Sequence, residues 1–337
     1  QYRPQMIGVA TSCLSETIGD DVPRFIREFR EETSGDLPAI VHVSSPSYRG
    51  THIDGFHDAV AAMVRQLAVA SGNAARCAIF PGMQSTADLR WLKRTAADFG
   101  ISATMLPDYS DTLEGGLWDE WRRIAPGGTP VSAIAASGSA EFAIELGHSM
   151  GERRSAGAYL AQTFGVRRMV AGMPVGVDLT DAFFEILSSI SASPVPAEYA
   201  AQRRRLLDAY VDGHKYISGK RAIVCGEADL VRAVTSFLSE IGIRTVITGG
   251  EEADFASMEE AAAELEPDIV IGNSKGYSLA RKLNIPLVRV GFPVHDRFGG
   301  QRIRILGYDG TLELYDRIVN ALLTCRQDAN PVGYTYY

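Results

Sequence analysis

The feature that most constrains this chain is an alternation. Short apolar runs rich in Val and Ile recur, with amphipathic helical patterns between them. The runs are Ile7–Ala10, Ala39–Val43, Ala78–Phe80, Ile101–Leu106, Ala222–Cys225, Arg244–Ile247, Asp268–Ile271 and Leu287–Val290, bounded by Gly, Pro or Ser. Strands of this kind are buried on both faces, as in parallel sheets. The intervening stretches Phe25–Glu32, His57–Ala70, Ala87–Phe99, Leu230–Ile241 and Met258–Leu265 carry apolar residues at three- and four-residue spacing, which gives a helix one apolar stripe. Such repeats predict an α/β fold: multiple Rossmann-like parallel-sheet domains with helices on both faces and right-handed crossovers.

At 337 residues the chain exceeds one ordinary domain. From Thr112 to about Tyr216 helical patterns dominate: Glu141–Met150, Ala156–Phe164, Asp181–Ile190 and Pro196–Asp212. A second α/β unit opens at Gly219. The expected division is a Rossmann-like domain over 1–110, a mainly helical middle region over 111–215, and a second Rossmann-like domain over 216–337. The last of these ends in a helix over Leu312–Leu323 and a tail with Tyr334, Tyr336 and Tyr337, suited to docking on a partner.

Composition narrows the function classes. A formal charge of −8 leaves no basic excess for phosphates, so a general nucleic-acid binder is not expected. No apolar run reaches the roughly 18 residues of a membrane span, and no signal peptide is visible. The first residue is Gln rather than Met, the mark of a processed or truncated start. The four cysteines, Cys13, Cys77, Cys225 and Cys325, form no CxxC and no disulfide framework, which points to a reducing cytoplasm.

The chemistry concentrates at Thr11-Ser12-Cys13. A buried strand ends there, and ligands of open α/β sheets bind at the carboxyl ends of strands. A thiol in that place is either a small buried hydrophobe or an iron–sulfur ligand. The loop Ser44–His52 follows the next strand, so two parallel neighbours would bring it to the same sheet edge. Its hydroxyls could contact a cluster or serve ordinary helix entry. A cluster takes about four thiolates, so any cluster here must be shared with other polypeptide.

Other constellations have plainer readings. Cys77 and Cys325 lie in strand and helix patterns and are expected in the core. Gly272-Asn273-Ser274-Lys275-Gly276 is a GxSxG between a strand and a helix, the context of a nucleophile elbow. No acid lies between Ser274 and His295, the one downstream histidine, so a tight turn is the better reading. Phe292–Arg302 gathers His295, Asp296 and Arg297. It reads as a salt-bridged loop that positions a neighbouring subunit rather than as acid–base machinery. Cys225-Gly226 opens the second unit without GxGxxG. Arg203-Arg204-Arg205 reads as a solvated helix face.

Several stretches, in order, resemble the beta-type subunit of nitrogenase component 1 and its relatives. They are TSCLSETIGDD (Thr11–Asp21), SPSYRGTH (Ser45–His52), LPDYS (Leu106–Ser110), GGT (Gly127–Thr129), MPVG (Met173–Gly176) with TDAF (Thr180–Phe183), and GFPVHDR (Gly291–Arg297). The resemblance implies several Rossmann-like domains and an α2β2 assembly with an alpha-type (D/E-like) partner. An ATP-dependent iron protein (H-like) docks transiently. It also implies a P-cluster-like iron–sulfur centre, of 8Fe or 4Fe type, shared with the alpha-type partner. That centre relays electrons to a catalytic iron–sulfur cofactor in the partner.

By motif match Cys13 takes the position of a cluster cysteine and Ser47 that of the serine that contacts the cluster. The family's beta chain carries further cluster cysteines upstream of this motif, and the present sequence begins downstream of them. The loop Val294–Gln301 is closer to relatives of the molybdenum enzyme. These are N-type scaffolds for cofactor assembly and nitrogenase-like reductases such as the methylthio-alkane reductases. Cys13 favours the reductase. The expected function is the beta-type subunit of a nitrogenase-like oxidoreductase acting on dinitrogen or carbon–sulfur bonds. The alternative is an N-type assembly scaffold.

Overall fold

The computed structural model describes residues 2–70, 73–117, 119–151, 154–250 and 254–331. The aromatic tail Tyr334–Tyr337 lies outside the described residues.

In chain order the elements are β1 (Met6–Thr11), α1 (Cys13–Ile18), α2 (Val22–Glu32), β2 (Ala39–Ser44), α3 (His52–Leu67), β3 (Cys77–Phe80), α4 (Thr86–Asp98) and β4 (Ala103–Met105). There follow α5 (Ser110–Leu113), α6 (Val131–Ala136), β5 (Phe142–Leu146), α7 (Ala156–Phe164), β6 (Arg167–Ala171), α8 (Gly176–Ser191) and α9 (Ala197–Ile217). The last are β7 (Arg221–Cys225), α10 (Ala228–Glu240), β8 (Arg244–Gly249), α11 (Phe255–Leu265), β9 (Ile269–Gly272), α12 (Gly276–Leu283), β10 (Leu287–Arg289) and α13 (Gly307–Asp328). The α/β class expected from the alternation is the class observed, with parallel strands flanked by helices.

The chain divides into two compact units, and the division differs from the sequence expectation. One unit is Gln1–Met83 with Ile101–Val170; the other is Gln84–Gly100 with Ala171–Tyr337. The stretch 111–215 is therefore split between them, and it is not mainly helical at its centre. Glu141–Met150, expected as a helix, contains strand β5, buried at all five positions. Phe142, Ile144 and Leu146 occupy alternate positions, but the intervening Ala143 and Glu145 are buried too, so no alternation of exposure marks the strand. β6 begins with Arg167-Arg168 and carries no apolar run long enough to announce it.

The first unit holds a two-stranded sheet, β1-β2, and a four-stranded sheet in the order β4-β3-β5-β6. Its core packs α3, α6 and α7 on the second sheet through Val60, Val64, Phe80, Leu106, Ile134 and Leu160. Thr51 starts α3 with a capping box: its hydroxyl accepts from Asp54 N–H while the Asp54 carboxylate accepts from Thr51 N–H at 2.8 Å. Such a box satisfies two helix-end donors at once. The outer edge of β2 is closed by side chains. The Gln66 amide donates to His42 C=O at 2.7 Å and accepts from His42 N–H at 3.0 Å, and Arg30 donates to Ile40 C=O at 2.9 Å.

The second unit is built on β10-β9-β7-β8, all parallel. One core lies under α11 and α12, around Ile223, Val270 and Leu279. Aromatic packing marks another: Phe184 is 1% exposed, with the rings of Trp91, Phe99, Tyr199 and Tyr308 at 4.8 to 6.3 Å. Burying one such ring contributes about 1.5–3 kcal/mol. Gly307 lies flat on Trp91, and a Cβ there would fall 2.4 Å from the indole. Among the described residues no helix is long and apolar enough to cross a membrane.

Candidate metal centre

β1 and β2 pair in parallel with Thr11 opposite Ser44. Ser12-Cys13 and Ser45-Ser47 therefore leave the same edge of the sheet, as the sequence argument requires. Cys13 is not in a loop. It is the first residue of α1, a six-residue helix that ends at Gly19 in the left-handed conformation. Asp21 then caps α2, its side chain accepting from Arg24 N–H at 3.0 Å, with Pro23 in the first turn.

Cys13 and Ser47 meet. Their Sγ and Oγ atoms are 2.8 Å apart, and Ser47 N–H donates to the same sulfur at 3.1 Å. Both contacts stabilise a thiolate, and the Cys13 thiol is accordingly held below its ordinary value, first by the Ser47 hydroxyl and then by the Ser47 amide. The other cysteines differ. Burial pushes Cys77 up to about 12 and Cys225 up to about 11. Cys325, expected in the core, is exposed on α13.

Beneath the pair lies a polar cluster that sequence reasoning did not single out. The Thr11 hydroxyl donates to the Glu16 carboxylate and sits 3.3 Å from His42 Nε2 and from Val43 C=O. The Glu16 carboxyl is held below its usual range, first by the Thr11 hydroxyl, then by the Ser44 hydroxyl and the Arg49 charge. The signal of the cluster was the five-residue spacing from Thr11 to Glu16, which has meaning only once α1 is known to start at Cys13. Beside the pair, an open cleft of about 1020 Å³ runs between the β2 end and α3, lined by Ser47, Arg49, His52, Arg65 and Arg154 among others.

The donor chemistry fits iron–sulfur ligation in part. A half-exposed sulfur biased toward thiolate is a soft donor, and the hydroxyl oxygen beside it is a hard one. Among the described residues no group of three or more His, Cys, Asp or Glu side chains converges as a metal site. The pair can therefore supply part of a ligand set only.

The remaining constellations resolve into structure. Ser274 Oγ accepts from His295 N–H at 2.8 Å, so the GxSxG turn holds the 292–302 loop by its backbone. Arg289 grips Asp296 through two nitrogens at 2.6 to 3.0 Å and keeps that carboxyl far below its usual range. The loop is salt-bridged, as expected. Arg203 is not simply solvated: it binds Asp181 through two nitrogens at 2.8 to 3.0 Å. Thr180 and Asp181 of the TDAF stretch are thereby explained as structural, since Thr180 Oγ1 donates to Gly176 C=O at 2.6 Å.

Fold and site together define a class: a two-unit α/β protein with a cysteine–serine pair at the carboxyl ends of adjacent parallel strands. The sequence profile described as nitrogenase component 1 type oxidoreductase matches residues 1–254 and 250–323. The chain belongs to that family and is of the beta type. It is 30% identical over 352 residues to a nitrogenase molybdenum-iron protein beta chain of Clostridium pasteurianum, covering 96% of this chain and 76% of that one. It is 31% identical over 343 residues to a nitrogenase iron-molybdenum cofactor biosynthesis protein NifN of Nostoc, covering 96% and 76%. The solved structure "Nitrogenase Cp1 at pH 6.5" superposes with a TM-score of 0.92 at 28% identity, covering 100% of this chain and 79% of that one.

Proposed function

We propose that this chain is the beta-type subunit of a nitrogenase-like reductase and that Cys13 ligates an iron–sulfur centre shared with an alpha-type partner. The observation that carries the reading is the Cys13–Ser47 pair at one sheet edge, with the sulfur biased toward thiolate. When bound, such a centre supplies one-electron relay between an ATP-dependent iron protein and a catalytic cofactor in the partner. Cys13 contributes the thiolate. Ser47 contributes donors that lower its proton affinity and an oxygen beside the sulfur that would face a bound centre. The partner supplies the remaining ligands, in an α2β2 assembly in the cytoplasm. Substrate chemistry, on dinitrogen or on carbon–sulfur bonds as in methylthio-alkane reductases, belongs to the partner.

The second reading is an N-type scaffold for cofactor assembly. It is favoured by relatives named NifN that are as similar, at 31% and 32% identity, as those named beta chain. Cys13 favours the first reading.

The test is anaerobic purification with the alpha-type partner, an iron count, and EPR of wild type and Cys13→Ala. We expect iron in the wild-type complex and loss of iron or an altered signal in the variant. A wild-type complex free of iron, or spectra indifferent to the substitution, would overturn the cluster role. Turnover of dinitrogen or methylthio compounds with the iron protein separates reductase from scaffold.

A further inference from the structure

α1 carries the Cys13 sulfur, yet nothing in its packing holds it. None of its six residues is buried, and Leu14 and Ile18 are 70% and 66% exposed. Its N-cap residue Ser12 makes no side-chain capping bond. A helix this short, without a buried face, has no stability of its own. What holds it is polar. Glu16, in the middle of α1, accepts from the hydroxyl of Thr11, the last residue of β1. Thr11 is 5% exposed and is itself held beside β2 by the parallel ladder, opposite Ser44. Its own carbonyl accepts from Ser45 N–H at 3.0 Å, at the start of the segment that delivers Ser47. Thr11 therefore stands between the two chain segments that must meet, and Glu16 is the arm that reaches it from α1.

We infer that Glu16, acting through Thr11, is a positioning residue that fixes the orientation of α1 and so the place of the Cys13 sulfur relative to Ser47. The requirement is an acceptor oxygen at that reach rather than a charge. Glutamine keeps the acceptor, alanine removes it, and aspartate is one methylene too short. The effect on a bound centre rests on the reading of Cys13 given above; the effect on α1 does not.

The experiment has two arms. In the purified chain, hydrogen exchange of the amides of residues 13–19 is compared in wild type, Glu16→Ala and Glu16→Gln, with β3 and β5 as controls for the fold. Losing this hydrogen bond predicts exchange about fivefold faster in Glu16→Ala, with Glu16→Gln close to wild type. In the complex with the alpha-type partner, the EPR signal of the iron centre is compared in the same variants. We expect it shifted in Glu16→Ala and restored in Glu16→Gln.

Unchanged α1 exchange in Glu16→Ala overturns the inference. So does faster exchange with an unchanged EPR signal, because the tether would then not position the sulfur. Glutamine as damaging as alanine overturns the acceptor argument. A wild-type complex without iron counts against the proposed function and leaves the exchange arm to decide this inference.

Discussion

Ser47 presents two groups to one sulfur, its hydroxyl at 2.8 Å and its amide at 3.1 Å. Removing the hydroxyl in Ser47→Ala leaves the amide, so the thiol moves part of the way back toward its ordinary value. In a Cys325→Ser background, alkylation of Cys13 at neutral pH should slow by about threefold or more, since the thiolate is the nucleophile. Cys77 and Cys225 will not interfere, because burial suppresses both thiolates. Asp88 gives a second prediction. Burial pushes its carboxyl up to about 6, although it accepts from Ile305 N–H and Leu306 N–H at 3.0 Å. The folded value lies above the unfolded one, so the folded state binds the extra proton. The stability this adds is complete below about pH 4 and lost as pH rises through about 6, about 3 kcal/mol for a shift near two units. Urea melts from pH 4 to 7 should show that fall in wild type and a flatter profile in Asp88→Asn. At this scale the strand-end positions placed Cys13 and Ser47 at one sheet edge, but those residues alone left both a plain reading, and the resemblance singled them out. Glu16 was not legible, because its partner is defined by where a helix begins.

At the scale of elements, carboxylates recur where helices start. Glu145, fully buried on β5, accepts from Ser155 Oγ at 2.7 and 2.8 Å and Gly157 N–H at 2.9 Å at the start of α7, and pairs with Arg168 at 2.6 Å. Glu145→Ala leaves these donors and the guanidinium without their acceptor. It should cost about 3–5 kcal/mol, as breaking a buried ion pair does, measured by denaturant unfolding. Glu240 does the same for α8, accepting from Val177 N–H at 2.8 Å and Asp178 N–H at 3.1 Å. Gly176 precedes them at φ +88°, and a Cβ there would meet the Glu240 carboxylate at 2.5 Å. Gly176→Ala should therefore destabilise by about 1–3 kcal/mol through strain and displacement of the cap, read as a lower melting temperature. The MPVG stretch is thus a backbone requirement. β5 was misread for a local reason. All five of its positions, Glu145 included, are buried, so no alternation marks it, and Glu141 four residues before Glu145 gives the run a helix-like spacing.

For the whole molecule, the alternation of apolar runs and helical patterns was enough for the α/β class, since parallel strands must be covered on both faces. It was not enough for the division into units, because Gln84–Gly100 belongs with residues 171 onward and no local signal records that crossing. The N-terminal elements depart from the rule. β1 is largely exposed, no residue of α2 is buried, and Phe25 and Phe29 are 46% and 49% exposed. Such rings are expected to bind a hydrophobic dye in the isolated chain. Phe25→Ser with Phe29→Ser should lower dye fluorescence severalfold while leaving the melting temperature nearly unchanged, because little packing is lost.

The Gln66 amide at the outer edge of β2 has a consequence beyond the native state. By occupying both backbone groups of His42, it imitates one residue of a neighbouring strand and ends the row of hydrogen bonds there. A strand so terminated cannot serve as the first layer of a growing fibril. Shelf life in concentrated solution thus rests partly on one neutral side chain.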